Sequence, residues 1–132
     1  AIANSVEVLT GDEVAVLQAG VSRADGNAAV IAVGTGLGQA YLDRENGRMR
    51  PVPSEGGHAD YAARTDREIE FVRMLREQFG RAEVEQVLSG PGLINLHRFT
   101  HRGGECEMLE GADDKDLPAR ISQAGLSGRC QQ

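Results

Sequence analysis

Short β-rich runs separated by polar, turn-rich residues fill the first part of the chain. The residue types at 14–17 and 29–33 favour β-strands, and the polar stretch 20–26 links them. Two further runs, 39–43 and 48–52, flank an Asn-Gly dipeptide, which accepts the positive φ values of a tight hairpin turn. The pattern therefore predicts strands that end in an antiparallel hairpin.

The pattern changes to a helical period after this hairpin. Thr65 and Glu68 have the spacing of a capping box, and Gly80 supplies a stop signal. The apolar residues between these signals form one predicted face: Ile69, Phe71, Val72, Leu75 and Phe79. Residues 65–80 are therefore predicted to form a well-defined amphipathic helix.

Shorter helices are predicted on either side of this one. Val84, Val87 and Leu88 would share one face of a short helix, with Glu85 pointing away from them towards a cleft. Residues 89–92 (SGPG) interrupt it, and a further helix runs to residue 99. Asp116 is placed to cap a last helix, residues 103–116 are predicted to be an exposed acidic loop, and residues 1–8 resemble the end of a helix. Strands followed by helices predict an α/β fold.

Size and charge restrict the class of protein. A length of 132 residues allows one domain, and both ends resemble cuts through a larger fold, so we expect a single incomplete domain. A net charge of -6 disfavours binding to nucleic acids and anionic membrane surfaces. The two cysteines lie far apart, and no apolar run reaches the length of a membrane span or signal segment. A cytoplasmic location is expected.

A glycine-rich stretch, residues 34–38 (GTGLG), directly follows a predicted strand. The backbone N–H groups of Gly34, Thr35 and Gly36 could approach a phosphate closely, and Thr35 adds a hydroxyl. The spacing does not match a dinucleotide fingerprint, and the lysine of a Walker loop is absent. Taken alone, the stretch is better explained as a simple tight turn between strands, so by itself it decides nothing about phosphate binding.

Residues 54–61 (SEGGHADY) carry more chemistry. Glu55 and His58 stand three residues apart around two glycines, so a carboxylate and an imidazole can face the same ligand. These groups suit neighbouring sugar hydroxyls, because the carboxylate accepts hydrogen bonds and the imidazole can accept or donate them. The alternative is an exposed loop in which both side chains are merely solvated.

A second group of residues could suggest a metal site. His97 and His101 are spaced i and i+4 on a predicted helix, and Cys106 lies nearby, but no fourth ligand has convincing spacing. We therefore expect solvated histidines on a helix surface and no bound metal. The following acidic residues are expected to form a solvated face or loop: Glu105, Glu107, Glu110, Asp113, Asp114 and Asp116.

Taken in order, GTGLG, SEGGHADY and residues 84–99 (VEQVLSGPGLINLHRF) resemble the bacterial glucokinase family of the non-zinc type. The resemblance runs from about residue 14 to residue 99, and its most specific parts are EGGH and LSGPG. It implies a partial actin-like, ribonuclease H-like ATPase (sugar kinase) fold, in which this piece corresponds to the first half of the larger domain.

The resemblance also implies roles for individual residues. Glu55, His58 and Glu85 match residues that bind glucose hydroxyls, and Gly34, Thr35 and Gly36 match a phosphate-contacting loop. The implied activity is phosphorylation of glucose to glucose 6-phosphate, with ATP and Mg²⁺ and with a homodimer as a possible assembly.

Several parts of the family pattern fall outside this sequence. They are the first phosphate loop, the C-terminal adenosine-binding glycines and the catalytic base, an Asp in an Asn-Asp pair expected just before Ala1. No catalytic residue is therefore expected in this chain, and alone it should be inactive. The alternative function is a sugar-sensing transcriptional regulator that uses the same pocket without turnover; its DNA-binding segment would also lie outside these residues.

Overall fold

The computed structural model describes residues 2–21, 23, 25–101, 106, 111, 113 and 115–130. The helices and strands follow one another in this order: α1 (Ile2–Ser5), β1 (Ala28–Val33), β2 (Leu37–Glu45), β3 (Arg48–Ser54), α2 (Asp66–Phe79), α3 (Gly90–His101) and α4 (Leu117–Leu126). Short 3-10 turns at Val6–Val8 and Gly56–His58 follow α1 and β3. Strands followed by helices confirm the predicted α/β class.

The sheet has the order β1-β2-β3, and both neighbouring pairs are antiparallel. Asn46 (φ 52°) and Gly47 (φ 78°) form the turn between β2 and β3, which confirms the predicted hairpin. Ala40 pairs with Val30 on one side and with Pro53 on the other, so β2 is the central strand. The ends of β1 and β3 that lead into the site therefore lie on either side of β2.

The N-terminal segment departs from the prediction. Residues 14–17 do not form a strand, and Val16 and Leu17 are 77% and 98% exposed. Their β propensity has no effect because none of the described strands pairs with them, and strand propensity depends on such a neighbour. Ile2–Ser5 is helical, as the sequence predicted.

Helix α2 follows its capping signals. The Thr65 hydroxyl accepts a hydrogen bond from the Glu68 N–H (3.2 Å), and Gly80 ends the helix in the left-handed conformation. The Glu68 carboxylate accepts from the Arg64 N–H (2.6 Å), one residue earlier than in a standard capping box. The predicted apolar face is only partly correct, because Phe71 and Leu75 are buried but Phe79 is 45% exposed.

The core lies where α2 meets α3 and the segment between them. Its buried members are Phe71, Leu75, Ala82 and Val87. The Phe71 and Phe99 rings pack with centroids 5.0 Å apart, which joins α2 to α3. This core holds the backbone of residues 82–87 in place beside the sheet.

The predicted short helix at residues 84–88 is wrong. Overlapping turns replace it, and Leu88 is 51% exposed, although Val87 is buried as expected. The N–H groups of Val84 and Glu85 donate to the carbonyls of Ala59 and Gly57, at 3.0 and 2.8 Å. This segment is therefore tied to the segment after β3, and its own turns close mostly through i→i+3 hydrogen bonds instead of a helical ladder.

The C-terminal part contains α3 and α4, which pack against each other. Asp116 precedes α4 as predicted, but its side chain makes no capping hydrogen bond with the described residues. Most of the predicted acidic loop, including Glu105, Glu107, Glu110 and Asp114, lies outside the described residues, whereas Asp113 is exposed. No helix in the described part of the chain combines the length and apolar character that crossing a bilayer requires.

Leu75 provides a test of this core, because it is fully buried whereas Ile69 on the same helix is 40% exposed. Leu75→Ala should lower the free energy of unfolding by about 2–5 kcal/mol, since it leaves a cavity. Ile69→Ala should cost less than about 1 kcal/mol. Denaturant unfolding followed by circular dichroism measures both values, and equal losses would contradict the proposed position of the core.

Candidate active site

Three segments that are distant in sequence meet at one end of the sheet: the loop after β1, the turn after β3 and the turns before α3. Two backbone hydrogen bonds join them. The Glu85 N–H donates to the Gly57 carbonyl (2.8 Å), and the Gly90 N–H donates to the Gly34 carbonyl (2.8 Å). The candidate residues on these segments are therefore fixed relative to one another by the backbone.

Glu85 is also held through its side chain. Its Oε2 accepts a hydrogen bond from the Leu37 N–H (2.8 Å) at the start of β2. A Cβ at Gly36 would lie 2.8 Å from this Oε2, and a Cβ at Gly57 would lie 2.5 Å from the Leu37 carbonyl oxygen. Gly57 therefore needs to be glycine because the backbone oxygen cannot move away, whereas a Cβ at Gly36 would push the Glu85 carboxylate from its position.

His58 is oriented by two carboxylates. Its Nδ1 lies 2.8 Å from Oε2 of Glu83, and its Nε2 lies 3.8 Å from Oε2 of Glu55. The hydrogen bond to Glu83 and the charge of Glu83 raise the pKa of His58. Desolvation opposes them, and the charges of Glu85 and Glu55 add smaller upward effects. Protonated or neutral, the ring can donate Nδ1–H to Glu83, which leaves Nε2 for a ligand.

Glu83 was not among the predicted site residues. Its carboxylate is only 21% exposed and lies 2.8 Å from His58 and 3.6 Å from Arg81, which in turn bonds Asp60 (2.7 Å). An isolated antiparallel bridge between Asp60 and Glu83 brings these residues together. Because the pairing is tertiary, spacing along the chain carries no signal of it.

A shallow depression of about 550 Å³ collects most of the predicted site residues. Its lining includes Gly34, Gly36, Glu55, His58 and Glu85. Carboxylates that accept hydrogen bonds and an imidazole that donates or accepts suit a neutral ligand with several hydroxyl groups. The structure therefore brings the three predicted sugar-binding residues together with two residues of the glycine-rich loop.

Thr35 takes a different position from its neighbours. It is exposed and lines two adjoining depressions on the α3 side, one of which also includes Gly34 and Lys115. The Gly34 N–H is already bonded to the Gly36 carbonyl (2.9 Å), whereas the N–H groups of Thr35 and Gly36 have no hydrogen-bond partner among the described residues. The loop thus stands between the carboxylate-lined depression and a second space beside α3.

His97 and His101 do not lie on a solvated helix surface, contrary to expectation. Both are only partly exposed, and their rings stack with centroids 3.8 Å apart. Burial lowers the pKa of His97, and the nearby His101 and Arg98 lower it further. The helix presents this face to α4 instead of to solvent, since α3 and α4 pack together.

Comparison with known sequences places the chain among the sugar kinases. The family model described as Glucokinase matches residues 1–132. A glucokinase of Psychromonas ingrahamii is 36% identical over 132 residues, which cover 98% of this chain and 39% of that protein. A glucokinase of Stenotrophomonas maltophilia is 42% identical over 103 residues, 77% of this chain and 29% of that protein. The chain thus spans well under half of these relatives.

Solved structures agree with the sequence comparison. A glucokinase from an Antarctic psychrotroph has a TM-score of 0.75 at 30% identity, over 98% of this chain and 38% of that one. A glucokinase of Balamuthia mandrillaris, determined with glucose, shares the fold with a TM-score of 0.62 at 22% identity, over 81% of this chain and 34% of that one. These matches confirm the expected sugar kinase fold class, and the chain belongs to the glucokinase family.

Proposed function

We propose that the intact protein transfers the γ-phosphoryl group of ATP to the 6-hydroxyl of glucose and so forms glucose 6-phosphate. The observation that carries the proposal is the convergence of Glu55, His58 and Glu85 beside Gly34 and Gly36 around one depression. Membership of the glucokinase family supports the choice of reaction. Three groups suited to sugar hydroxyls next to a loop suited to phosphate are what this transfer needs.

Each proposed sugar-binding residue has a defined part. Glu85 keeps Oε1 for a hydroxyl while Oε2 is held by the Leu37 N–H. His58 offers Nε2 while Nδ1 is held by Glu83, and the highly exposed Glu55 carboxylate adds an acceptor beside that nitrogen. Because two of the three side chains are fixed before the ligand arrives, binding orients the sugar at a small entropic cost.

The glycine-rich loop is assigned to the nucleotide. Thr35 and Gly36 offer backbone N–H groups, and Thr35 adds its hydroxyl, all of which are donors suited to phosphate oxygens. Mg²⁺ prefers carboxylate, water and phosphate oxygens. The loop itself supplies no carboxylate, so we assign it to the phosphates, and Mg²⁺ would neutralise their charge while bound chiefly by the nucleotide.

The group that deprotonates the sugar is proposed to lie outside this chain. The family resemblance puts an Asn-Asp pair just before Ala1, and Ile2 lines the same depression as Glu55 and His58. A base entering at that edge would be near a sugar held by the three side chains. Within the chain, the proposed residues therefore bind and orient, and none removes the proton.

Further properties of the intact protein follow from this proposal. We infer a cytoplasmic enzyme that binds no nucleic acid or membrane, which the net charge of -6 supports, and a homodimer is possible within the family resemblance. We also infer that these residues form part of a single larger domain. The regulator alternative has no comparison in its favour, and turnover of glucose by the intact protein would exclude it.

Glu85→Gln in the intact protein tests the sugar site. Loss of a charge-assisted hydrogen bond should reduce kcat/KM for glucose by roughly ten- to a hundredfold, mainly through KM. Glu70→Gln, on the exposed side of α2, provides the matched control and should leave the kinetics unchanged. A coupled assay of glucose 6-phosphate formation measures both variants. Unchanged kinetics in Glu85→Gln would contradict the proposed sugar-binding role of Glu85.

The 132-residue chain on its own is expected to form no glucose 6-phosphate from glucose and ATP. The physical reason is that the proposed base and the other nucleotide-binding segments lie elsewhere in the protein. The same coupled assay, with the intact protein as positive control, provides the measurement. Activity of the isolated chain would show that it contains its own base.

The pKa of His58 gives a separate test of the site's electrostatics. The raised pKa predicts that the pair with Glu83 stabilises the folded state fully below the ordinary pKa of about 6.5, and that this contribution is lost as the pH rises through the folded pKa. NMR titration of the ring should place the midpoint above the ordinary value.

Variants separate the causes of this shift. Glu83→Gln should lower the midpoint more than Glu55→Gln, because the Glu83 hydrogen bond is the largest cause and the Glu55 charge the smallest. His58→Gln identifies the signal. If the two glutamate variants had equal effects, the inferred hydrogen bond from Nδ1 to Glu83 would be incorrect.

A further inference from the structure

A second cluster of reactive side chains lies at the opposite end of α3. The donor atoms of His97, His101, Cys106 and Cys130 all lie within 4.8 Å of one another. Cys130 follows α4 and is the fourth donor that spacing along the sequence did not reveal. The cluster borders a cavity of about 280 Å³ that shares no lining residue with the sugar-site depression.

The ring of His101 is oriented as in a metal ligand. Its Nδ1 lies 3.0 Å from the His97 carbonyl oxygen, so Nδ1–H donates to the backbone and Nε2 keeps its lone pair. Cys130 Sγ lies 3.4 Å from that Nε2. Histidines that bind metals usually donate their other ring N–H to a carbonyl or carboxylate in this way, which fixes the tautomer.

His97 provides an independent indication of a ligand. Its Nε2 is buried and has no hydrogen-bond partner among the described residues. A buried polar atom without a partner destabilises the folded state, so native structures rarely leave one unexplained. A cation placed between the four side chains would supply the missing partner.

We propose that His97, His101, Cys106 and Cys130 form a tetrahedral binding site for a thiophilic divalent cation, with Zn²⁺ as the best fit. Two thiolates and two imidazoles are a common donor set of structural zinc sites, and both cysteines are free. The two thiolates balance the charge of the ion. Zn–N bonds of about 2.0 Å and Zn–S bonds of about 2.3 Å require donor atoms roughly 3.3–3.8 Å apart, so the widest separation must shorten by about 1 Å.

The proposed site is structural and independent of the phosphoryl transfer. Four protein ligands leave no open coordination position for a substrate. The ion would fasten the end of α3 to the residues after α4, across a cavity lined by apolar side chains such as Leu96, Ile121 and Ala124. A disulfide between the two cysteines is the competing arrangement, but it would leave His97 Nε2 without a partner.

The metal content of the intact protein tests the proposal directly. Protein purified under reducing conditions without chelator should contain one Zn²⁺ per chain by elemental mass spectrometry. The double variant Cys106→Ser/Cys130→Ser should lose it, whereas His58→Gln, which removes a histidine elsewhere, should retain it. His97→Gln should weaken binding by more than the roughly 10–100-fold that loss of an outer-shell partner costs.

A second measurement holds even if the double variant fails to fold. Apo protein titrated with Co²⁺ should develop thiolate-to-cobalt charge-transfer bands and the intense d–d bands of tetrahedral coordination, and added Zn²⁺ should remove them. Chelation should lower the Tm of the unaltered protein, because an ion bound only to the folded state stabilises it.

Three results would overturn the site. One is a reduced protein that neither contains zinc nor develops these cobalt bands. Another is one equivalent of zinc retained in the folded double cysteine variant. The third is a Cys106–Cys130 disulfide, detected by mass spectrometry, in protein purified anaerobically under reducing conditions.

Discussion

The arrangement of the proposed sugar site depends on Glu85, which is held through both its backbone and its side chain. Its N–H donates to Gly57, and its carboxylate accepts from Leu37. One residue therefore ties the turn after β3 to the start of β2 and, through the neighbouring Gly36, to the glycine-rich loop. The hydrogen bond from the Leu37 N–H also offsets part of the desolvation free energy of the Glu85 carboxylate. A charged acceptor gains more from an N–H donor than a neutral acceptor does.

Charge explains why sugar and phosphate are assigned to different sides of the loop. Glu55, Glu83 and Glu85 surround a single imidazole, so the depression has an excess of negative charge even when His58 is protonated. A neutral polyhydroxy ligand tolerates this excess, whereas a nucleotide phosphate needs the N–H and hydroxyl donors of the loop at the edge of the depression to offset it. Thr35 instead faces the space beside α3, which Lys115 also lines. The loop thus separates a region suited to hydroxyl groups from one that an anion can approach.

Local signals were predictable from sequence, and tertiary pairings were not. The Asn46-Gly47 hairpin and the capped helix α2 depend on residues close in sequence, and both formed as predicted. The helix expected at residues 84–88 did not, since this segment forms overlapping turns that are bonded to the segment after β3. Likewise Glu83 reaches His58 only through the pairing of Glu83 with Asp60. Residues named from the sequence therefore line one depression, and their sugar-binding role stays a prediction, whereas the group that orients the imidazole was not predicted.

Helix α3 connects the two proposed sites through its ends. Its first residue, Gly90, donates to the Gly34 carbonyl in the glycine-rich loop. Its last residue, His101, is one of the four proposed metal ligands. Twelve residues span about 18 Å, and the Phe99 ring packs on α2 between these ends. A metal ion at the far end would restrain how α3 sits on α4 without contacting substrate. The metal ion would therefore affect the glycine-rich loop only by changing the orientation of α3. The contact between Phe99 and Phe71 of α2 limits how far that orientation can change.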